Sequence, residues 1–172
     1  MLRHDPARDA GDRAFRRLCR EAGAHLTFTE MVSLEALARG SEGSLSLLKA
    51  AEGERPRAVQ VFAGSPQVIE PAWKMIRRRT EELVEDFDMV DLNCGCPVPK
   101  VVKSGAGAAL MQDPARLSEI VAALSESTDK PVSVKRRSGW DEGSITCLEA
   151  AKAAVRSGAH MITLHPRTRK QG

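Results

Sequence analysis

Five short runs rich in β-branched residues recur about every 30 to 40 positions along this 172-residue chain, and longer stretches with helical periodicity separate them. The runs are HLTFT at 25–29, AVQVF at 58–62, DMVDLNC at 88–94, VSVKR at 132–136 and MITLH at 161–165. Strands that alternate with helices imply parallel pairing, because each helix carries the chain back to the edge where the previous strand began. Two architectures satisfy that demand: a doubly wound open sheet and a (β/α)8 barrel.

Helices are expected at 13–22, where Gly23 takes the C-cap position, and at 33–50, with interruptions near Gly40 and Gly43. Others are expected at 66–83, from the Asp113-Pro114 cap to about Leu124, and at 144–157. The pattern opens on a helix with no strand before it and closes just after a strand, and a whole barrel takes roughly 250 residues. The expected fold is therefore α/β, a partial TIM (β/α)8 barrel with about strands 2 to 6 and their helices. Residues 1–172 then make one incomplete barrel catalytic domain. Its unpaired sheet edges predict self-association.

Composition narrows the setting. No run approaches the ~18 to 20 apolar residues of a membrane span, and the start MLRHDPARDAGDR has no apolar signal core, so no membrane partner and a cytoplasmic location are expected. Cys19, Cys94, Cys96 and Cys147 show no regular spacing, which favours reduced thiols over a disulfide framework. A net charge of +3 is compatible with a polyanionic partner without arguing for one, and six aromatic residues with no tyrosine disfavour a base-stacking surface.

Strand parity locates the chemistry. Side chains alternate between the two faces of a strand, and in a barrel one face looks at the axis and the other at the helices. Val59 and Val61 oppose Gln60; Val90 and Leu92 oppose Asp91 and Asn93; Val132 and Val134 oppose Ser133 and Lys135; Ile162 and Leu164 oppose Thr163 and His165. Gln60, Asn93, Lys135 and His165 thus share the non-aliphatic face toward the C-terminal strand ends, where barrel enzymes build active sites.

The segment VDLNCGCPVPKVVKSGAGAALMQDP follows on from the 88–94 strand. Gly95 and Pro97 bracket Cys96 in a tight turn, where a thiol can act as nucleophile, metal ligand or general acid. Cys94 and Cys96 have no second pair to complete a structural zinc site, so no metal is expected. Cys94 shares the face of Val90 and Leu92 and reads as a small packed hydrophobe. Gly105 to Ala109 fit neither a P-loop nor a dinucleotide fingerprint, and close backbone packing is the better reading than a phosphate cradle.

These strings, with RAFRRLCREAGAHLTFTEMVS at 13–33, VQVFAGSP at 59–66, SVKRRSGWD at 133–141 and ITLHPRTRKQG at 162–172, resemble the tRNA-dihydrouridine synthase family. The most specific string is Asn-x-Gly-Cys-Pro-x-Pro-Lys-x-x-Lys-Ser-Gly-x-Gly at 93–107. Dihydroorotate and dihydropyrimidine dehydrogenases carry a related Asn-x-x-Cys-Pro turn but lack the Lys-Ser-Gly continuation. The resemblance implies an oxidoreductase that uses FMN and NADPH to reduce the C5=C6 bond of uridines in tRNA. It implies Cys96 as the general acid toward C5, Asn93 as the uracil-holding residue, and Gln60, Lys135 and His165 as FMN contacts. Arg137, Arg167 and Arg169, with Lys170, would line a basic rim for tRNA phosphates.

Two departures accompany the resemblance. The family's Pro-Met-Ala-Gly turn is replaced by Pro6-Ala7-Arg8-Asp9, and Pro166 stands where the family usually has glycine. The strands expected to hold the flavin phosphate, and the family's C-terminal helical tRNA-binding domain, lie outside this sequence. Two other functions compete: an FMN-dependent reductase of a free pyrimidine base, and a non-catalytic half-barrel that serves as an interaction module. A cysteine hydrolase is disfavoured because no oxyanion hole can be named.

Overall fold

The structure, a computed structural model, describes residues 6–50, 53–78 and 87–172. Helix α1 (Pro6–Glu21) leads into two two-residue strands, β1 (Thr27–Phe28) and β2 (Val32–Ser33), and then into short helices α2 (Leu34–Ala38) and α3 (Glu42–Ser46). Strand β3 (Arg57–Phe62) is followed by a 3-10 turn and α4 (Ile69–Arg78), and β4 (Met89–Cys94) by α5 (Pro99–Lys103) and a second 3-10 turn (Gly107–Met111). Helix α6 (Pro114–Ser127), β5 (Val132–Arg137), α7 (Cys147–Arg156) and β6 (Ala159–His165) complete the order.

All pairings are parallel and the strands lie side by side in chain order, β3-β4-β5-β6, with β1 and β2 both on the outer edge of β3. A doubly wound sheet reverses its strand order at a switch point; an unreversed order is that of a barrel wall. The chain therefore forms five consecutive positions of a (β/α)8 barrel, the fold expected from the sequence. The first position differs in detail from the single strand expected at 25–29. Between the pairs Phe28↔Ala58 and Val32↔Val61, three residues face two, so the edge kinks as at a bulge. Thr29 holds the kink: its N–H donates to Ala58 O (3.0 Å) and its Oγ1 accepts the Gln60 N–H (3.0 Å).

The helix-facing side behaves as parity requires. Val59, Val61, Val90, Leu92, Cys94, Val132 and Val134 are buried against Leu34, Leu37, Ile69, Trp73, Leu117, Ile120, Leu124 and Ala154. Serine side chains cap α2 and α3, and Asp113 accepts the Arg116 N–H (3.0 Å) to cap α6 behind Pro114, the cap expected there. The 33–50 stretch breaks into α2 and α3 at Gly40, which has φ +79°, as expected, but the second interruption expected near Gly43 is absent, because Gly43 lies within α3. Residues 79–83 of the helix expected at 66–83 lie outside the described residues.

Helix α1 is where periodicity misleads. It begins at Pro6 rather than at 13, so the helix occupies the place of the family's Pro-Met-Ala-Gly turn. Its stripe does not turn inward either: Phe15 and Leu18 are 65% and 61% exposed, and the buried anchor is Arg16. The Arg16 guanidinium pairs with the Glu54 carboxylate through Nε and through Nη2 (3.1 Å), while Thr27 Oγ1 donates to Glu54 (2.9 Å) and ties the pair to β1. Truncating Glu54 to Ala removes the buried carboxylate that this guanidinium pairs with. The expected loss is about 3 kcal/mol of unfolding free energy, against about 0.5 kcal/mol or less for Glu21→Ala in the exposed Arg17–Glu21 pair, both measurable by urea denaturation.

Candidate active site

On the axis-facing side the strands carry polar residues in layers. The register aligns Gln60 with Asp91 and Asp91 with Ser133; one layer up it aligns Asn93 with Lys135 and Lys135 with Thr163; above that, Arg137 pairs with His165. Gln60, Asn93 and Lys135 therefore come together on adjacent strands, and His165 joins them from β6 at the rim.

A continuous hydrogen-bond chain links the lower layer to the cysteine turn. Ser133 Oγ donates to Asp91 Oδ1 (2.6 Å), Gln60 Nε2 donates to Asp91 Oδ2 (2.7 Å), and Asn93 Nδ2 donates to Gln60 Oε1 (3.1 Å). Asn93 Oδ1 then accepts the N–H groups of Gly95 (3.1 Å) and Cys96 (2.9 Å). Asp91 has no exposed surface, and that burial raises its pKa; the bonds from Ser133 and Gln60 and the charge of Lys135 oppose the shift. Parity had placed Asp91 and Ser133 on this face, but their part in the site rests on contacts between strands that no single strand reveals.

Cys96 is 8% exposed and packs with Val101, Ala106, Met31 and Phe62. Its carbonyl accepts the Ala108 N–H (3.0 Å), so the glycine-rich segment braces the turn. The amides of Gly105, Ala106, Ala108 and Ala109 all donate to backbone carbonyls, which supports close packing over a phosphate cradle. Gly107 is needed here: with φ +59°, a Cβ would stand 2.9 Å from both Cys96 O and Val101 Cγ1. Gly64 packs as tightly, with a Cβ position 1.9 Å from Ser104 O. Cys94, as expected, is buried in the helix-side core, and desolvation pushes its thiol far above the usual range. No group of three or more His, Cys, Asp or Glu able to hold a metal occurs among the described residues.

The basic residues divide. Arg137 Nε donates to Gly95 O (2.9 Å), and Nη1 to Thr168 O (3.2 Å) and Gly172 O (2.9 Å), so it clamps the cysteine turn to the 166–172 loop. Arg169 lies over the Trp140 ring at 4.6 Å, and Arg167 is exposed. Backbone bonds from Ser138 to Arg167, from Arg169 to Gly139 and from Lys170 to Trp140 tie the loops after β5 and β6 together. His165 Nδ1 accepts the Arg167 N–H (3.2 Å), which leaves Nε2 to carry the proton of the neutral ring. Partial desolvation and the charges of Arg137, Lys135 and Arg167 hold its pKa below the ordinary histidine value.

The family model described as dihydrouridine synthase matches residues 4–172. The chain is 41% identical over 168 residues to a probable tRNA-dihydrouridine synthase of Treponema pallidum, covering 95% of this chain and 48% of that protein. It is 37% identical over 165 residues to tRNA-dihydrouridine synthase B of Pseudomonas aeruginosa, with 95% and 48% covered. Against a tRNA-dihydrouridine(47) synthase of Malassezia globosa, named for NAD(P)(+), identity is 34% over 167 residues, 96% and 21% of the two chains. The chain spans about half the length of the bacterial relatives it matches.

Two outcomes are expected of this geometry. Gly107→Ala should displace the Cys96 turn and change the alkylation rate of Cys96, read by peptide mass spectrometry, while Gly43→Ala, whose Cβ meets nothing within 4 Å, should leave that rate alone. A proton NMR titration should place the His165 midpoint below the ordinary value of about 6.5, and Arg167→Gln should move it upward by removing one cationic neighbour. The sign is that of a depressed histidine: neutral His165 adds stability above its unfolded-state pKa, and that stability is lost as pH falls through the lower folded-state value.

Proposed function

The chain belongs to the dihydrouridine synthase family, and from that premise we propose that its strand-end pocket serves the reduction of uridine to 5,6-dihydrouridine in tRNA, with FMN bound in the barrel mouth and NADPH as electron source. The observation that carries the reading is one hydrogen-bonded turn joining Asn93 to Cys96, beside Gln60 and in register with Lys135.

The residues present fit a flavin. The Lys135 ammonium makes no hydrogen bond or salt bridge among the described residues, and beyond the charge it exerts on Asp91 and His165 it is available to an anionic ring edge. Gln60 and Asn93 each keep one amide N–H beyond the bonds in the chain, and His165 keeps Nε2–H; all three are donors suited to ring carbonyl oxygens and nitrogens. When bound, FMN would supply the hydride that reaches C6 of the uracil. Cys96 holds a proton on Sγ and delivers it to C5 as negative charge builds there. Asn93 orients the base through its free N–H and the thiol through its carbonyl oxygen. The walls of Met31, Phe62, Val101 and Ala106 limit water around the thiol.

A tRNA would meet Arg167, Arg169 and Lys170 at the rim, with Arg137 beneath them as the clamp, and its target base must leave the stack to reach Cys96. A cytoplasmic setting suits that substrate; no helix among the described residues is long and apolar enough to cross a membrane. A second reading, self-association, is favoured by apolar side chains left exposed around β6 and α7: Leu164, Leu148 and Val155. Size-exclusion chromatography with light scattering decides it, a monomer at all concentrations being the contrary result.

The test mixes the chain with FMN, NADPH and unmodified tRNA and follows FMN fluorescence and the two-hydrogen mass gain of tRNA uridines. Cys96→Ala is expected to slow reduction by about 10² to 10⁴ while FMN stays bound. Loss of FMN along with activity overturns the general-acid role. Reduction of free uracil but not of tRNA supports the free-base alternative, and a folded chain that binds no FMN supports the non-catalytic half-barrel.

A further inference from the structure

We propose that Asp91, buried on the axis side of β4 one layer below Asn93, is a positioning residue: it accepts from Gln60 and so anchors the lower end of the directed hydrogen-bond relay that runs up to Cys96. The inference rests on the functional reading above and extends it to a residue in the layer below Asn93.

The polarity is fixed from both ends. At the top, the backbone N–H groups of Gly95 and Cys96 can only donate, so the Asn93 atom facing them must be its carbonyl oxygen. Asn93 therefore turns its amino group to Gln60, Gln60 must receive it on Oε1, and Gln60 Nε2 is left facing Asp91, which must accept. At the bottom, Asp91 Oδ1 and Oδ2 accept from Ser133 Oγ and Gln60 Nε2, the same sense as every bond above them. An amide side chain alone can flip about its last torsion with little energetic preference; Gln60 and Asn93 cannot, because either flip sets two like groups against each other at one end of the relay. The second amide N–H of each residue is thus fixed as a donor. A pocket that presents only donors at these positions selects rings bearing carbonyl oxygens and discriminates against amino groups. Other buried groups serve structure instead: Arg16–Glu54 ties α1 to β1, and Arg136 bonds Thr146 Oγ1 (3.2 Å) and Arg137 O (3.1 Å) beneath α7.

The variants separate acceptor from charge. Asp91→Val removes the acceptor while keeping a strand-compatible residue; Asp91→Asn keeps a carbonyl oxygen for Gln60 and can turn its amino group to Ser133 Oγ. Two readouts are taken on the full chain: the side-chain amide resonances of Gln60 and Asn93 without flavin, and FMN affinity by fluorescence quenching. Asp91→Val is expected to shift both amide pairs and weaken FMN by about tenfold or more, and Asp91→Asn to recover most of that loss. Unchanged amide resonances and FMN affinity in Asp91→Val overturn the proposal. So does an Asp91→Asn chain as impaired as Asp91→Val, because charge rather than acceptance would then be at work. If Asp91→Val does not fold, Asp91→Ser, too short to reach Gln60, replaces it under the same criteria. Failure of the unmodified chain to bind FMN counts against the functional reading alone, and the amide resonances still decide the relay.

Discussion

A carboxylate without exposed surface is tolerated in a protein only when its oxygens are supplied with donors, and the barrel wall is organised around meeting that demand at Asp91. The donors come from the neighbouring strands on either side, Gln60 on β3 and Ser133 on β5. The bonds therefore hold three strands in one register. A one-residue slip of any of them would carry its polar side chain to the helix side and orphan the carboxylate. The cysteine turn inherits its position from this arrangement through Gln60 and Asn93.

The two faces of the sheet consequently do different work. The helix side is apolar and gains its stability from burial; its two arginines, Arg57 and Arg136, are fully enclosed and directed to carbonyl and hydroxyl oxygens. Desolvation lowers the Arg136 pKa, in keeping with a cation held in the core by surrounding structure. The axis side is polar and connected by bonds with direction, so the donors it offers a ligand are set before any ligand arrives. Preorganisation of this kind lowers the reorganisation required during a reaction.

Much of this was legible in the sequence because period-two alternation is local. Parity alone placed Gln60, Asn93, Lys135 and His165 on one face, and the same rule put Cys94 in the core. Three features were not legible, each for a physical reason. The edge strands β1 and β2 are two residues long, too short to show a period, and the kink between them is held by Thr29 bonding to β3. The stripe on α1 has helical spacing, yet burial on that helix follows the charged pair Arg16–Glu54, whose partner is distant in sequence. In the sequence Arg137 reads as one of several cations on a basic rim, whereas three carbonyl oxygens from two loops take its N–H groups.

That last residue shows how the rim and the thiol become one unit. Arg137 bridges Gly95, one residue before Cys96, to the 166–172 loop, and backbone bonds join that loop to the segment after β5. From the opposite side Ala108 grips the Cys96 carbonyl, with Gly107 allowing the approach. Asn93 fixes the turn from below. The backbone that carries the thiol and the loop that carries the basic rim are thus joined through one guanidinium. No moving lid is needed for this: a side chain buried in its own loop, whose turn is held through its backbone by four hydrogen bonds, can shift only when the elements that hold the turn shift together.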